Sequence, residues 1–249
     1  MNDYNEFVLD DGYRFGMGAF ETLSVKKGKA ILLSYHIERL VKALDTLEIP
    51  MPKDFEERMA FHISQMDGPN DVLRVAVSKD NTVWETRKNP YTKEQYARGF
   101  SLMLSDVRRN ETSLLTGIKS LNQGDNVLQR RMALKKGFDE AVFLNFKEEF
   151  TEGSFSNLFF VAGKRIYTPA ANCGLLEGTV RRWLVKMCDI EEICIHKEDL
   201  DSFQEVFITN SVMGVMPVTR LETLAFAERS VTNELMDLYQ NIELYTQDA

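Results

Sequence analysis

At 249 residues with 44% hydrophobic side chains, the chain is long enough to bury a substantial core as one large domain or two smaller ones. Thirty basic against 38 acidic residues give a net charge of −8, which excludes a generic nucleic-acid surface and a polybasic membrane patch, so an anionic ligand needs locally arranged cations. No apolar stretch approaches membrane-spanning length, and the opening Met-Asn-Asp-Tyr-Asn-Glu lacks the basic start and apolar run of a secretion signal. A cytoplasmic protein with no membrane or nucleic-acid partner is expected.

In chain order, Gly16, Gly18 and Gly28 flank an apolar run and Ile31 to Leu33 follows it, the pattern of a hairpin. Ser34 can cap a helix whose apolar face is Ile37, Leu40, Val41, Leu44 and Leu47, with Arg39 on its flank and Pro50 and Pro52 as breakers. A second helix is predicted over 53–66 and a strand over 72–77. Residues 78–98 are polar, contain Pro90 and read as loops or a short helix before a strand at 100–104. The charged stretch 105–116 is the best linker candidate. Beyond it the patterns predict a helix over 126–136 closed by Gly137, strands at 140–146, 157–162 and 165–168, a helix over 179–188, and strands near 192–195 and 205–209.

The chemistry of metal ions and of serine-type triads finds no pattern here. Cys173, Cys188 and Cys194 lack metal-ligand spacing and are too few for a disulfide framework, so buried free thiols and no metal site are expected. His36, His62 and His196 are far apart in sequence. Lys119, in Gly117-Ile118-Lys119-Ser120-Leu121-Asn122, is of the one residue type that can form a Schiff base with an aldehyde and then move a proton as the released amine. Glu152 follows in Thr151-Glu152-Gly153-Ser154, where glycine and serine permit close approach of backbone to a flat ligand. Gly178-Thr179-Val180-Arg181 opens a helix, and its free N–H groups and dipole suit an anion. Arg39 and Ser211 are further candidates for that anion.

Lysine, acid and anion-binding turn, in that order, resemble the class IV aminotransferases, pyridoxal-phosphate enzymes of fold type IV. The resemblance runs from Gly12-Tyr13-Arg14-Phe15-Gly16-Met17-Gly18-Ala19-Phe20-Glu21-Thr22 to Pro217-Val218. It implies a mixed α/β (α+β) protein with a smaller N-terminal α/β domain over 1–105, a linker at 106–113 and a larger pyridoxal-phosphate-binding domain over 114–249. Lys119 matches the Schiff-base lysine, Glu152 the acid at the pyridine nitrogen, and Arg39 the phosphate-binding arginine of a motif like His36-Ile37-Glu38-Arg39-Leu40. Leu176 matches the residue packed against the ring, Thr179 and Val180 the phosphate contacts at the helix start, and Ser211 the hydroxyl beside them. Two stretches depart from the family pattern: Gln123-Gly124-Asp125 after the lysine, and the phosphate turn, where Thr179 precedes Val180 and Glu177 stands for a frequent proline.

The resemblance also implies a homodimer acting on a small amino substrate with carboxylate groups. Three activities share the scaffold: branched-chain transamination, D-amino acid transamination, and the lyase step that converts 4-amino-4-deoxychorismate to 4-aminobenzoate and pyruvate for folate. The stretches 108–122 and 209–218 look most like the lyases. On that reading Lys119 removes the substrate proton, Glu152 keeps the pyridine protonated, and Thr22 hydrogen-bonds near the departing group. Arg87, Arg108 and Arg109 are the candidate partners of the substrate carboxylates. A transaminase would use Lys119 and Glu152 equally, and a non-catalytic cofactor-binding relative is the third alternative.

Overall fold

A computed structural model describes residues 7–242, so the opening segment read for a secretion signal lies outside the described residues. The chain folds as two compact units: 7–90 with Ile118–Gln123, and Tyr91–Gly117 with 124–242.

The first unit opens with a short helix α1 (Asp11–Phe15), capped by the Asp10 carboxylate, which accepts from the N–H groups of Gly12 and Tyr13. Strand β1 (Gly18–Lys26) then turns at Gly28 into the two-residue β2 (Lys29–Ala30). This is the expected hairpin with a shorter return. The helix that follows, α2 (Leu33–Thr46), does not begin at a Ser34 cap; Leu32 holds the N-cap in a left-handed conformation at φ 55°, and no side chain caps it. Its inward face is also rotated from the predicted one. Val41 is exposed, whereas His36 and Arg39 are buried with Leu40, Ala43 and Leu44. Helix α3 (Phe55–Ser64) follows, then β3 (Asp71–Ser78) and β4 (Thr82–Lys88), which complete an antiparallel sheet in the order β2-β1-β3-β4. Strand β4 was not expected. As the exposed edge of the sheet it carries polar residues that read as loop, and its pairing with β3 from Val77↔Thr82 to Asp71↔Lys88 makes it a strand.

Ile118–Gln123 joins this unit through backbone bonds to β1: the Phe20 N–H donates to the Lys119 carbonyl at 2.9 Å and the Leu121 N–H to the Gly18 carbonyl at 2.8 Å. Leu23 and Val75 of the sheet meet Leu40, Leu44, Phe55 and Met59 of the helices in one apolar core.

The second unit begins with α4 (Lys93–Arg98), closed at its start by a Thr92–Gln95 capping box. Then come β5 (Phe100–Arg109), α5 (Gly124–Lys135), β6 (Glu140–Asn145), β7 (Phe150–Gly153), β8 (Asn157–Ala162) and β9 (Arg165–Pro169). Helix α6 (Thr179–Met187), β10 (Ile190–Ile193), β11 (Glu205–Asn210), β12 (Gly214–Leu221), β13 (Leu224–Ala225) and α7 (Ser230–Gln240) complete it. The large sheet runs β10-β9-β8-β11-β12-β5-β6-β7, and a further pairing of β7 with β8 at Glu152↔Asn157 closes six of its strands into a ring. Polar residues 106–109 belong to β5, because Arg108 and Arg109 pair with Leu144 and Asn145 of β6. Strand β12 was not predicted, since Gly214 and Pro217 punctuate it; Pro217 lies just ahead of Val218↔Phe100, where β5 begins to pair. Among the described residues no helix is long and apolar enough to cross a membrane.

Candidate active site

In the first unit, alternation along β1 sends Glu21 and Leu23 towards the helices and Phe20 and Thr22 to the opposite face. Glu21 is fully buried, and a bare carboxylate there would be very costly. The rotated face of α2 supplies its partners. Arg39 Nε and Nη2 each donate to Glu21 at 2.7 Å, and His36 Nδ1 lies 2.6 Å from Oε2. Burial opposes the charge on Glu21, but Arg39 and His36 outweigh it and bring its pKa from an ordinary 4.5 down to about 2. Burial pushes His36 below its usual value against the pull of Glu21, so the neutral ring donates from Nδ1 to an ionised carboxylate. Arg39 is therefore an oriented, buried cation and does not lie on the helix flank.

The backbone bonds to Phe20 and Gly18 hold Lys119 alongside β1, and its Nζ lies 4.5 Å from the centre of the Phe20 ring. Lys119 also acts electrostatically on His36. Arg74, opposite Thr22 in the β1–β3 register, places its guanidinium 4.3 Å from the centre of the same Phe20 ring. Thr22, Phe20, Arg74 and Lys119 Nζ thus share one face of this unit. Sequence reading named Arg87, Arg108 and Arg109 as cations for a substrate and missed Arg74. The structure commits Arg108 to Glu148 at 2.7 Å and Arg109 to Glu152 at 3.1 Å, and leaves Arg87 exposed on β4.

In the second unit, Glu152 stands in β7 where the strand ring closes. Its Oε1 pairs with Arg109, which also lies over the Phe143 ring at 3.9 Å, and its Oε2 accepts from the Leu176 N–H at 3.0 Å. Opposite it in register, Asn157 clamps the same loop: Nδ2 donates to the Leu176 carbonyl at 2.7 Å and Oδ1 accepts from the Gly178 N–H at 3.1 Å. A Cβ on Gly178 would lie 2.1 Å from Asn157 Oδ1, so this turn requires glycine. Helix α6 then starts at Thr179 and Val180, both buried, with Gly178, which has no side chain to cap it, at the N-cap. It packs against β11, whose Thr209 pairs with Asn157 and carries a buried hydroxyl without a hydrogen-bond partner. Asn210 shapes the next turn, around Ser211, by accepting from the N–H groups of Val212 and Met213.

Gly153 makes room for its neighbours: a Cβ there would meet Ser156 Oγ at 2.2 Å and Glu140 Oε1 at 2.7 Å. Glu140, fully buried and pushed upwards in pKa by that burial, accepts from the Phe155 N–H and the Ser154 and Ser156 hydroxyls, fixing the turn that follows Glu152. Of the cysteines only Cys173 is buried; all are free, but Cys188 is half-buried and Cys194 exposed, against the expectation of three buried thiols.

The structure thus gathers Lys119, Arg39 and Thr22 in one unit and Glu152, Leu176, Thr179, Val180 and Ser211 in the other. Glu21, Arg74, Glu140 and Asn157 were missed. An acid on the Leu23 side of an apolar strand was the available signal for Glu21; Asn157 and Arg74 gave none without a register.

The model of the class IV aminotransferases matches residues 18–221, and the chain belongs to that family, with its mixed α/β fold of type IV. Among its relatives, the aminodeoxychorismate lyase of Bacillus subtilis is 28% identical over 93% of this chain and 87% of its own. D-alanine aminotransferase of Bacillus licheniformis is also 28% identical, over 86% of this chain and 82% of its own. The crystal structure of 4-amino-4-deoxychorismate lyase from Pseudomonas aeruginosa superposes with a TM-score of 0.85 at 25% identity, covering 97% of this chain and 98% of that one.

The buried Glu21–His36–Arg39 cluster has a pH signature. Both titrating groups hold protons less readily when folded than when unfolded, so their stabilisation is complete above the unfolded values of 6.5 and 4.5. It is lost as pH falls, first through His36 and then, towards about 2, through Glu21. Urea unfolding followed by Trp84 in a Trp183→Phe background should show a midpoint that falls from about pH 7 to about pH 3. Glu21→Gln, which leaves Arg39 buried without its counter-charge, should cost about 3 to 5 kcal/mol at neutral pH and flatten the acid limb.

Proposed function

We propose that this protein is a pyridoxal-phosphate-dependent lyase that converts 4-amino-4-deoxychorismate to 4-aminobenzoate and pyruvate. The cofactor reading is carried by Lys119, held on β1 by backbone bonds in the unit that also orients the buried Arg39, and by Glu152, a buried acceptor aligned by Arg109 and the Leu176 N–H. The lyase is favoured by the Bacillus subtilis relative, which matches 93% of this chain against 86% for the D-alanine aminotransferase. The residues fit the cofactor's phosphate and ring. The start of α6, the buried Thr209 hydroxyl and Ser211 are the donors assigned to a phosphate, and Arg39 the cation. Glu152, a buried carboxylate aligned by Arg109 and the Leu176 N–H, is the acceptor assigned to a protonated ring nitrogen. When bound, the cofactor supplies an electron-withdrawing ring that stabilises the carbanion left as a proton departs next to the substrate's nitrogen.

Lys119 is assigned as the base for that proton, its Nζ lying over the Phe20 ring on the face it shares with Thr22. Glu152 holds the proton on the ring nitrogen, and Leu176, whose backbone is pinned at both ends, is positioned to pack against the ring. Thr22 is assigned to the departing group and Arg74 to a substrate carboxylate, because both lie on the Lys119 face of the sheet. A homodimer in the cytoplasm is part of the same proposal. The specific alternative is transamination of a D-amino acid, favoured by the equal identity to D-alanine aminotransferase.

The deciding assay supplies 4-amino-4-deoxychorismate to cofactor-loaded protein and follows 4-aminobenzoate and pyruvate together. Equal, enzyme-dependent yields support the lyase, and their absence with conversion of D-alanine to pyruvate when a second 2-oxo acid is supplied to accept the amino group supports the transaminase. Lys119→Ala should abolish turnover and the covalent attachment of cofactor that borohydride reduction and mass measurement detect. Arg74→Ala should raise KM about tenfold with a smaller change in kcat, as removal of uniform substrate binding does. Gly178→Ala, which drives a methyl group into Asn157, should weaken cofactor affinity at least about tenfold, read by equilibrium dialysis.

A further inference from the structure

Glu149, Cys173 and Cys194 are scattered in sequence, yet their side-chain ligand atoms all lie within 4.8 Å of one another. Backbone bonds of the second unit bring them together. Phe150 N–H donates to the Ile195 carbonyl at 2.8 Å and Lys197 N–H to the Glu148 carbonyl at 3.1 Å, which sets Glu149 and His196 opposite each other as a bridge. Ala170 N–H donates to the Ile193 carbonyl at 3.0 Å and Cys173 N–H to the Ala170 carbonyl at 2.9 Å, which lays Cys173 against Cys194. The two sulfurs stand 3.5 Å apart, and His196 Nε2 is 4.0 Å from Glu149 Oε1.

We propose that this cluster is a binding site for a thiophilic divalent cation of the Zn²⁺ type, with Cys173, Cys194 and Glu149 as ligands and the His196 ring beside the fourth position. Ligands at roughly 2.3 Å from a tetrahedral Zn²⁺ place two thiolates roughly 3.8 Å apart, close to the spacing found here before any adjustment. Two sulfurs, a carboxylate and an imidazole match the preference of Zn²⁺ and not that of Mg²⁺ or Ca²⁺. Outer partners orient the ligands. Asn145 Nδ2 donates to Glu149 Oε2 at 2.6 Å and to the Cys173 carbonyl at 3.1 Å, and its Oδ1 accepts from the Glu149 N–H at 3.0 Å. Exposed Cys194 gives the ion a way in, while buried Cys173 anchors the inner side. Binding expels the thiol protons and ties together segments 148–150, 170–173 and 193–197. The second of these leads directly into the Gly174–Leu176 loop that Glu152 and Asn157 hold. The inference rests on the cluster itself and not on the reaction assigned above.

The test is titration of the reduced full-length protein with Co²⁺, read by thiolate-to-metal charge transfer and by the ligand-field bands of a tetrahedral ion, with Zn²⁺ added afterwards in competition. One Co²⁺ per chain, displaced by Zn²⁺, is expected. Cys188→Ser, outside the cluster, should bind as the parent does; Cys194→Ser, at an exposed position, should lose about half the charge-transfer intensity and at least about tenfold in affinity, and Glu149→Gln should also lose at least about tenfold. Circular dichroism establishes that each variant is folded before titration. Absence of saturable binding in the reduced parent protein, or bands unchanged in Cys194→Ser, would overturn the proposal. So would recovery of the pair as a disulfide that forms in air while no cation binds under reduction.

Discussion

A carboxylate taken out of water must collect enough donors to replace the water it loses, and those donors then have fixed places. This chain uses that constraint at each joint that matters to its chemistry. Glu21 draws the charged face of α2 down onto β1 and so orients Arg39. Glu140 collects three donors from the turn after β7. Glu152 joins the strand ring to the loop before α6, and Glu205 accepts from the first-turn N–H groups of α7, a helix with no cap of its own. Each acid converts the cost of its burial into geometry, and removal of its partners would leave buried polar atoms unsatisfied.

Each unit fixes its own polar side chains. In the smaller sheet Lys119 is held by backbone bonds, Arg39 by Glu21, and Arg74 is aligned by register with Thr22. In the other unit the strand ring does the same. Glu152 and Asn157 face each other at the single pair that closes the ring, and between them they fix both the N–H and the carbonyl of Leu176 as well as the N–H of Gly178. A site built on paired strands and backbone bonds is held more rigidly than one built on free loops. This explains how identities near 28% to a lyase and to an aminotransferase accompany one fold: the common frame depends on backbone and on a few buried polar groups, whereas the choice of reaction depends on side chains around it.

The Glu149, Cys173, Cys194 and His196 cluster obeys the same logic from the other direction. Metal-ligand motifs are legible when two ligands sit a few residues apart on one turn. Here three separate segments each contribute, and only the Glu149↔His196 bridge and the bond from Ala170 to Ile193 make them neighbours.

From sequence alone, the order of lysine, acid and helix-opening glycine turn determined the family, the cofactor class to expect and the positions of Lys119, Glu152 and α6, because each is written in a few adjacent residues with a short-range chemical reason. The early hairpin, α2 and most strands of the second unit were legible for the same reason: apolar periodicity is local. What lay beyond reach was decided by pairing between distant segments. The exposed edge β4, the proline-containing β12 and the polar end of β5 are strands because neighbours supply their hydrogen bonds. The face α2 turns inward follows from the acid on β1, 15 residues before His36. Arg74, Asn157 and the separation of Arg108 and Arg109 into different ion pairs are consequences of register, and register exists only once the chain has folded.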